Sequence, residues 1–212
     1  INYIEDGGNY ADNVKFVYED GYFVGSDNRI AVPKDGLYYH AIHPYTKNAS
    51  DIFEFTVASD QTKGYSRSDL MTAHTPATSN ETVSMRFVHR LSKVVIKLTG
   101  EGWGTNKTTN AELTGVYTTT EVDLNNLDFI PAGKKDNVRM KKVNDREYVA
   151  VIPSQTIYEN DYFIDITVNG EVRSAYAISD IRLISGCQSE ITINWDKEKI
   201  TVFTGEINPW DE

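Results

Sequence analysis

The chain has 212 residues, enough for one large or two modest domains, and its 40% hydrophobic and 25% charged content is that of an ordinary folded protein. Its 31 acids against 21 bases give a formal net charge of −10, which repels phosphate backbones and anionic membrane surfaces and argues against nucleic-acid binding. The single cysteine, Cys187, excludes an intrachain disulfide scaffold, and no apolar run approaches the roughly 18–20 residues of a membrane helix.

Aromatic and β-branched residues dominate the apolar content and favour strands. In chain order, strands are expected at residues 14–18, 37–45, 52–57, 83–98, 111–119, 148–152, 162–168, 172–178, 190–195 and 200–203. The period-2 runs Tyr162/Ile164/Ile166/Val168 and Ile191/Ile193/Trp195 read as half-buried antiparallel strands. Turns are expected at Glu19-Asp20-Gly21 and at Asn169-Gly170, a pair suited to the positive φ of a primed hairpin turn. No segment keeps a helical apolar period for ten residues; one short helix is expected at residues 68–73, capped by Ser66 or Ser68.

Residues 83–98 carry the most information. Met85, Phe87, His89 and Leu91 fall on odd positions, then Val94, Ile96 and Leu98 on even ones. A one-residue slip moves every side chain to the other face, so a bulge or bend is required near Ser92-Lys93. Such a bend lets a chain pass between the sheets of a sandwich or across a domain junction. The polar, Pro76-containing stretch 74–81 reads as a linker, which places domains at residues 1–77 and 78–212, and residues 105–110 read as a polar loop.

No motif announces chemistry. His40 and His43 project from opposite faces of a strand, a poor metal pair, and His89 among apolar neighbours reads as a hydrogen-bonded structural histidine. Cys187 has no activating base in sequence, and the many carboxylates make any pair uninformative. Asp27 and Asp35 lack EF-hand spacing, and the acceptor patterns at Asn48, Asn80 and Asn106 read as chance matches. No catalytic residue, cofactor or metal is therefore expected. Trp195 reads as core, and Trp103, between Gly102 and Gly104, reads either as an exposed binding aromatic or, the favoured reading, as folded back on the second domain.

Several stretches, taken in order, resemble the fimbrillin-like family of Bacteroides-type pilus subunits and surface lipoproteins. They are Val14-Lys15-Phe16-Val17-Tyr18-Glu19-Asp20-Gly21, Ala31-Val32-Pro33-Lys34-Asp35-Gly36 and Tyr39-His40-Ala41-Ile42-His43-Pro44-Tyr45. Asp60-Gln61-Thr62 and Ser68-Asp69-Leu70-Met71-Thr72-Ala73 follow. The most distinctive is Phe87-Val88-His89-Arg90-Leu91-Ser92-Lys93-Val94-Val95-Ile96, with Ile152-Pro153-Ser154-Gln155-Thr156 and Ile207-Asn208-Pro209-Trp210 after it. The resemblance implies an all-β chain of two tandem transthyretin-like (Greek-key) β-sandwich domains. It also implies secretion to the cell surface, as part of an outer-membrane or extracellular fimbrium, and a role in adhesion.

Members of that family carry a lipoprotein signal and further strands upstream of anything like residues 14–18, so the first domain is expected to be incomplete at its N-terminus. In such pilins an upstream strand is removed and the groove takes a strand from the next subunit, where main-chain hydrogen bonds give affinity and alternate side chains give specificity. The implied partners are other pilin subunits, self or related, with an upstream lipid anchor tying the protein to the outer membrane. The candidate strand-exchange segment is Ile200, Val202, Phe203, Ile207 and Trp210, which either docks in its own domain or serves a neighbour. Two other readings stand beside this one: a surface glycan-binding module presenting exposed aromatics, and a hydrolase with convergent acids or a nucleophile–base pair.

Overall fold

A computed structural model describes residues 4–5, 8–9, 11–25, 30, 36–77, 82–103, 108–196 and 199–210. Among them the chain is nearly all strand, with one 3-10 turn at Glu101–Trp103, and no helix is long and apolar enough to cross a membrane. Asp27, Asp35, Asn80, Asn106 and most of the 31–36 stretch lie outside the described residues.

The chain opens with a two-residue ribbon, β1 (Ile4–Glu5) with β2 (Gly8–Asn9). A hairpin follows, β3 (Phe16–Glu19) with β4 (Tyr22–Gly25), turning at Asp20 and Gly21, both at positive φ (48° and 90°) as expected there. Next come β5 (Leu37–His43), β6 (Ile52–Thr56), β7 (Met71–Ala77), β8 (Val88–His89) and β9 (Ser92–Thr99). The long strands β10 (Thr108–Asp123) and β11 (Asp128–Arg139) precede β12 (Lys141–Asn144), β13 (Glu147–Ile152) and β14 (Gln155–Ile157). The chain closes with β15 (Tyr162–Val168), β16 (Glu171–Tyr176), β17 (Ile181–Leu183), β18 (Cys187–Asp196) and β19 (Lys199–Pro209).

Two five-stranded sheets face each other as a β-sandwich. One has the order β11-β10-β15-β16, with β6 also on β10; the other has the order β12-β13-β9-β18-β19. Within the second sheet β9 and β18 run parallel, so the run ending in Trp195 is antiparallel to β19 only. β10 spans 16 residues because two strands share one of its edges: β15 pairs along residues 108–113 and β6 along residues 119–123. Between the two stretches Gly115, at φ 61°, carries the register shift against β11. The core between the sheets includes Leu91, Ile96, Leu113, Tyr148, Phe163, Ile164, Ile191 and Trp103, each at most 1% exposed. A third, three-stranded sheet, β5-β7-β8, has its own small core of Leu37 and Tyr39 with Ile30, Val83 and Met85 against it.

The bend near residue 92 falls where the alternation requires it. β8 belongs to the three-stranded sheet, β9 begins at Ser92 in the sandwich, and the buried Leu91 lies between them. Three readings are corrected. Residues 68–73 are not a helix: Ser68 closes a turn on Tyr65 while its hydroxyl accepts the Ala58 N–H (2.9 Å), and Met71 already starts β7. His74–Ala77 is not linker but the end of β7, where His40 opposes His74. Pro76 is tolerated because β8 pairs only with Met71 and Thr72, leaving the missing N–H without a ladder to break. Residues 108–110 are strand rather than loop, because the Thr108 hydroxyl donates to the Asp145 carbonyl (2.5 Å) and accepts from the Tyr148 hydroxyl (2.8 Å).

β6 lies before residue 78 yet pairs with β10, and Phe53, Phe55, Val57 and Leu70 sit in the main core. Residues 52–57 are thus packed among the later strands.

Candidate functional site

Two features could serve assembly: the C-terminal strand, and an open cleft beside the three-stranded sheet. β19 ends the second sheet, pairing along β18 from Asp196↔Lys199 to Cys187↔Pro209. Of the five candidate residues, Val202 (2% exposed) and Trp210 (4% exposed) are seated in the chain's own core, and Ile207 is 45% exposed. The side chains of Ile200 and Phe203 lie outside the described residues. The sequence segment thus splits into an anchored set and an outward set along one edge strand.

Trp210 is held by residues distant in sequence. Its indole stacks on the His89 imidazole at 3.8 Å between centroids and 10° between planes, and Tyr65 meets it edge-on at 6.1 Å. The Lys93 ammonium lies 5.4 Å from the indole and 5.6 Å from the Tyr65 ring, a cation–π arrangement. The Trp210 backbone N–H donates to the Gly186 carbonyl (2.9 Å), and the Gly186 backbone N–H donates to the Leu91 carbonyl (2.8 Å). His89 is fixed from behind by Asp69 (Nδ1 to Oδ1, 2.8 Å), as a structural histidine should be. Arg90 donates from Nε to the Thr72 hydroxyl (2.7 Å) and lies over the Phe129 ring at 5.1 Å. Burial pulls its guanidinium below the ordinary value, which for arginine still leaves it charged near neutrality. The motif 87–93 is thus a structural junction between the three-stranded sheet and the sandwich, clamped by the chain's C-terminal Trp.

The cleft, of about 770 Å³, opens between the β3–β4 hairpin, β5 and the extended stretch 82–87. Phe16, Phe23, Tyr39, Ala41, Met85 and Phe87 line it. Phe23 is half exposed and packs edge-on to Tyr18 (5.4 Å) and against Phe87 (5.9 Å). Among the described residues, β5 has a ladder on one side only, so its other edge is open. Strands at 14–18, 37–45 and 83–98 and, from the family resemblance, a groove in the first domain were expected; β4 and the position of the cleft were not. Its signal was the odd-position run Met85, Phe87, which faces inward with no strand partner beside it.

Among the described residues no group of three or more His, Cys, Asp or Glu is poised for a metal. Cys187 is the first residue of β18, opposite Pro209. Trp103 folds back as expected, buried at 1% with its indole N–H donating to the Ile193 carbonyl (3.3 Å), and Trp195 packs edge-on against it at 5.0 Å. No indole is offered as an exposed sugar platform.

Fold and site together define an all-β sandwich protein whose distinctive residues are used for packing. The chain matches the family model described as fimbrillin-like over residues 3–210, and it belongs to that family. No curated protein matches it. Among solved structures, a candidate cell adhesion protein of Bacteroides uniformis shares 17% identity at a TM-score of 0.73, covering 98% of this chain and 86% of that one. A second candidate cell adhesion protein, from Bacteroides ovatus, shares 14% identity at a TM-score of 0.73, covering 94% and 79%. A fimbrial protein of Bacteroides vulgatus shares 15% identity at a TM-score of 0.59, covering 95% and 86%. At such identities the likeness speaks to the fold.

Proposed function

We propose that this chain is a structural subunit, or an accessory or tip adhesin, of bacterial fimbriae, assembling by β-strand addition and mediating adhesion without catalysis. The observation that carries the reading is the edge of β5 left unpaired among the described residues, beside an apolar cleft in a chain of the fimbrillin-like family. An extended segment of a neighbouring subunit, self or related, adds to that edge by main-chain hydrogen bonds and fills the cleft with alternate side chains. Segment 200–210 contributes a second surface, presenting its outer edge and Ile207 while Val202 and Trp210 keep it seated. The protein acts at the cell surface, in the outer membrane or an extracellular fimbrium, with an upstream lipid anchor as its tether.

The test is the exported protein itself. Intact mass, N-terminal sequence, size-exclusion and negative-stain microscopy on one sample should show a processed N-terminus with ladders or filaments. Phe23→Asp, at a half-exposed cleft position, should abolish the ladders while leaving the melting temperature unchanged. A strictly monomeric, lipid-bearing protein in the exporting cell would refute strand addition and favour an anchored glycan-binding module.

A further inference from the structure

The three-stranded sheet has a second face. Tyr39 and Ala41 line the cleft, so His40 between them points to the other face of β5, where it stands directly opposite His74. The two imidazoles meet edge to face, with centroids 4.3 Å apart, planes at 77° and Nδ1 to Nδ1 at 3.4 Å. Tyr38 stacks on the His74 ring at 5.6 Å and 24°, which limits its rotation. His74 is exposed and His40 half-buried, so the gap between the two nitrogens opens to solvent.

We propose that His40 and His74 form a surface zinc site, taking Zn2+ between their Nδ1 atoms, with water filling the other coordination positions. The spacing fits that ion. Two Zn–N bonds of about 2.0–2.1 Å at a tetrahedral angle put the nitrogens about 3.3–3.4 Å apart. No third His, Cys, Asp or Glu joins the pair among the described residues, which makes it a two-ligand chelate. Burial, followed by the neighbouring His74, holds His40 below its ordinary value of 6.5. Asp51 acts on His40 with the opposite sign and adds negative potential at the site. In the metal-free pair one nitrogen donates to the other. When zinc enters, the donating ring carries its proton on Nε2 instead, and a neutral pair releases none.

The site lies on the face opposite the cleft and is independent of the assembly reading. Its test is calorimetric titration of the full chain, stripped with EDTA, with ZnCl2 at pH 7.5. One zinc should bind per chain. His40→Gln and His74→Gln should each weaken binding by about tenfold or more, while His43→Gln should not. Zinc should raise the melting temperature of the parent and of His43→Gln but not of the other two variants. Nitrogen NMR of the parent gives a readout that needs no variant: zinc should shift the His40 and His74 Nδ1 resonances and leave those of His43 in place. Absence of saturable binding, unchanged affinity in both variants, or shifts confined to other residues would overturn the assignment.

Discussion

Trp210→Ala separates a C-terminus that anchors its own fold from one held for a neighbour. Trp210 is 4% exposed, so truncation removes nearly all of a buried indole. An aromatic side chain buries about 150–250 Å², worth about 4–6 kcal/mol at about 25 cal/mol per Å². The indole nitrogen is buried with no partner among the described residues, so its desolvation offsets about 1–2 kcal/mol of that. The net loss is about 3–4 kcal/mol, within the usual range for Trp→Ala in a core. For a chain of this size each kcal/mol moves the melting temperature by about 2–4 °C, so a fall of about 6–16 °C is expected. Scanning calorimetry measures it, and urea unfolding should show a lower midpoint at an unchanged slope. Ile207→Ala, at a 45% exposed position, should cost less than about 1 kcal/mol and serves as the control. A Trp210→Ala protein melting within about 2 °C of the parent would refute the clamp and leave the C-terminal segment free for a neighbouring subunit.

Gln61, fully buried, uses its side-chain amide as a strand would, donating to the Val151 carbonyl (2.8 Å) and accepting the Val151 N–H (2.9 Å). Gln61→Ala strands two buried backbone groups and should cost about 3 kcal/mol, read from urea midpoints. Asp60 titrates below its ordinary 3.8, chiefly through the Thr62 hydroxyl bond, with the Thr62 N–H and Arg139 adding to it. Its contribution is present above 3.8 and is lost as pH falls through the lower folded value. Carboxyl NMR should find that depressed midpoint, and Thr62→Ala should move it upward. Gly100 has φ 97°, and a Cβ there would overlap the Trp195 carbonyl, so Gly100→Ala should destabilise by about 1–3 kcal/mol in calorimetry.

What the sequence made legible was local. Asn169 and Gly170 take φ of 52° and 82°, and β15 and β16 close on Val168↔Glu171, because a primed turn is encoded in two residues. The sheet switch near Ser92 was readable because a change of alternation has one geometric meaning. β11 was not anticipated: its Asp128, Pro131, Gly133, Lys134, Lys135 and Asp136 spell a polar loop, yet as an exposed edge strand it needs only β10 as partner. β7 was hidden for a similar reason, since the proline that suggested a linker sits where no ladder bond is required. Contacts across long separations, such as Trp210 on His89 or His40 opposite His74, depend on pairing that no local pattern states.

The stretch that most strongly marks the family, residues 87–96, is spent on architecture. Phe87 faces the cleft, His89 pairs with Asp69 and carries the Trp210 indole, Leu91 is buried, and Val94 and Ile96 enter the sandwich core. Each successive side chain meets a different body of the fold, so a single substitution there disturbs the joint between sheets rather than a ligand. A motif of this kind identifies how the chain folds, and any partner is left to other surfaces. One such surface is the outer side of the β3–β4 hairpin, where Tyr18 and Tyr22 are exposed. That hairpin pairs with no other described strand, so its aromatic side chains can vary at little cost to the sandwich beneath.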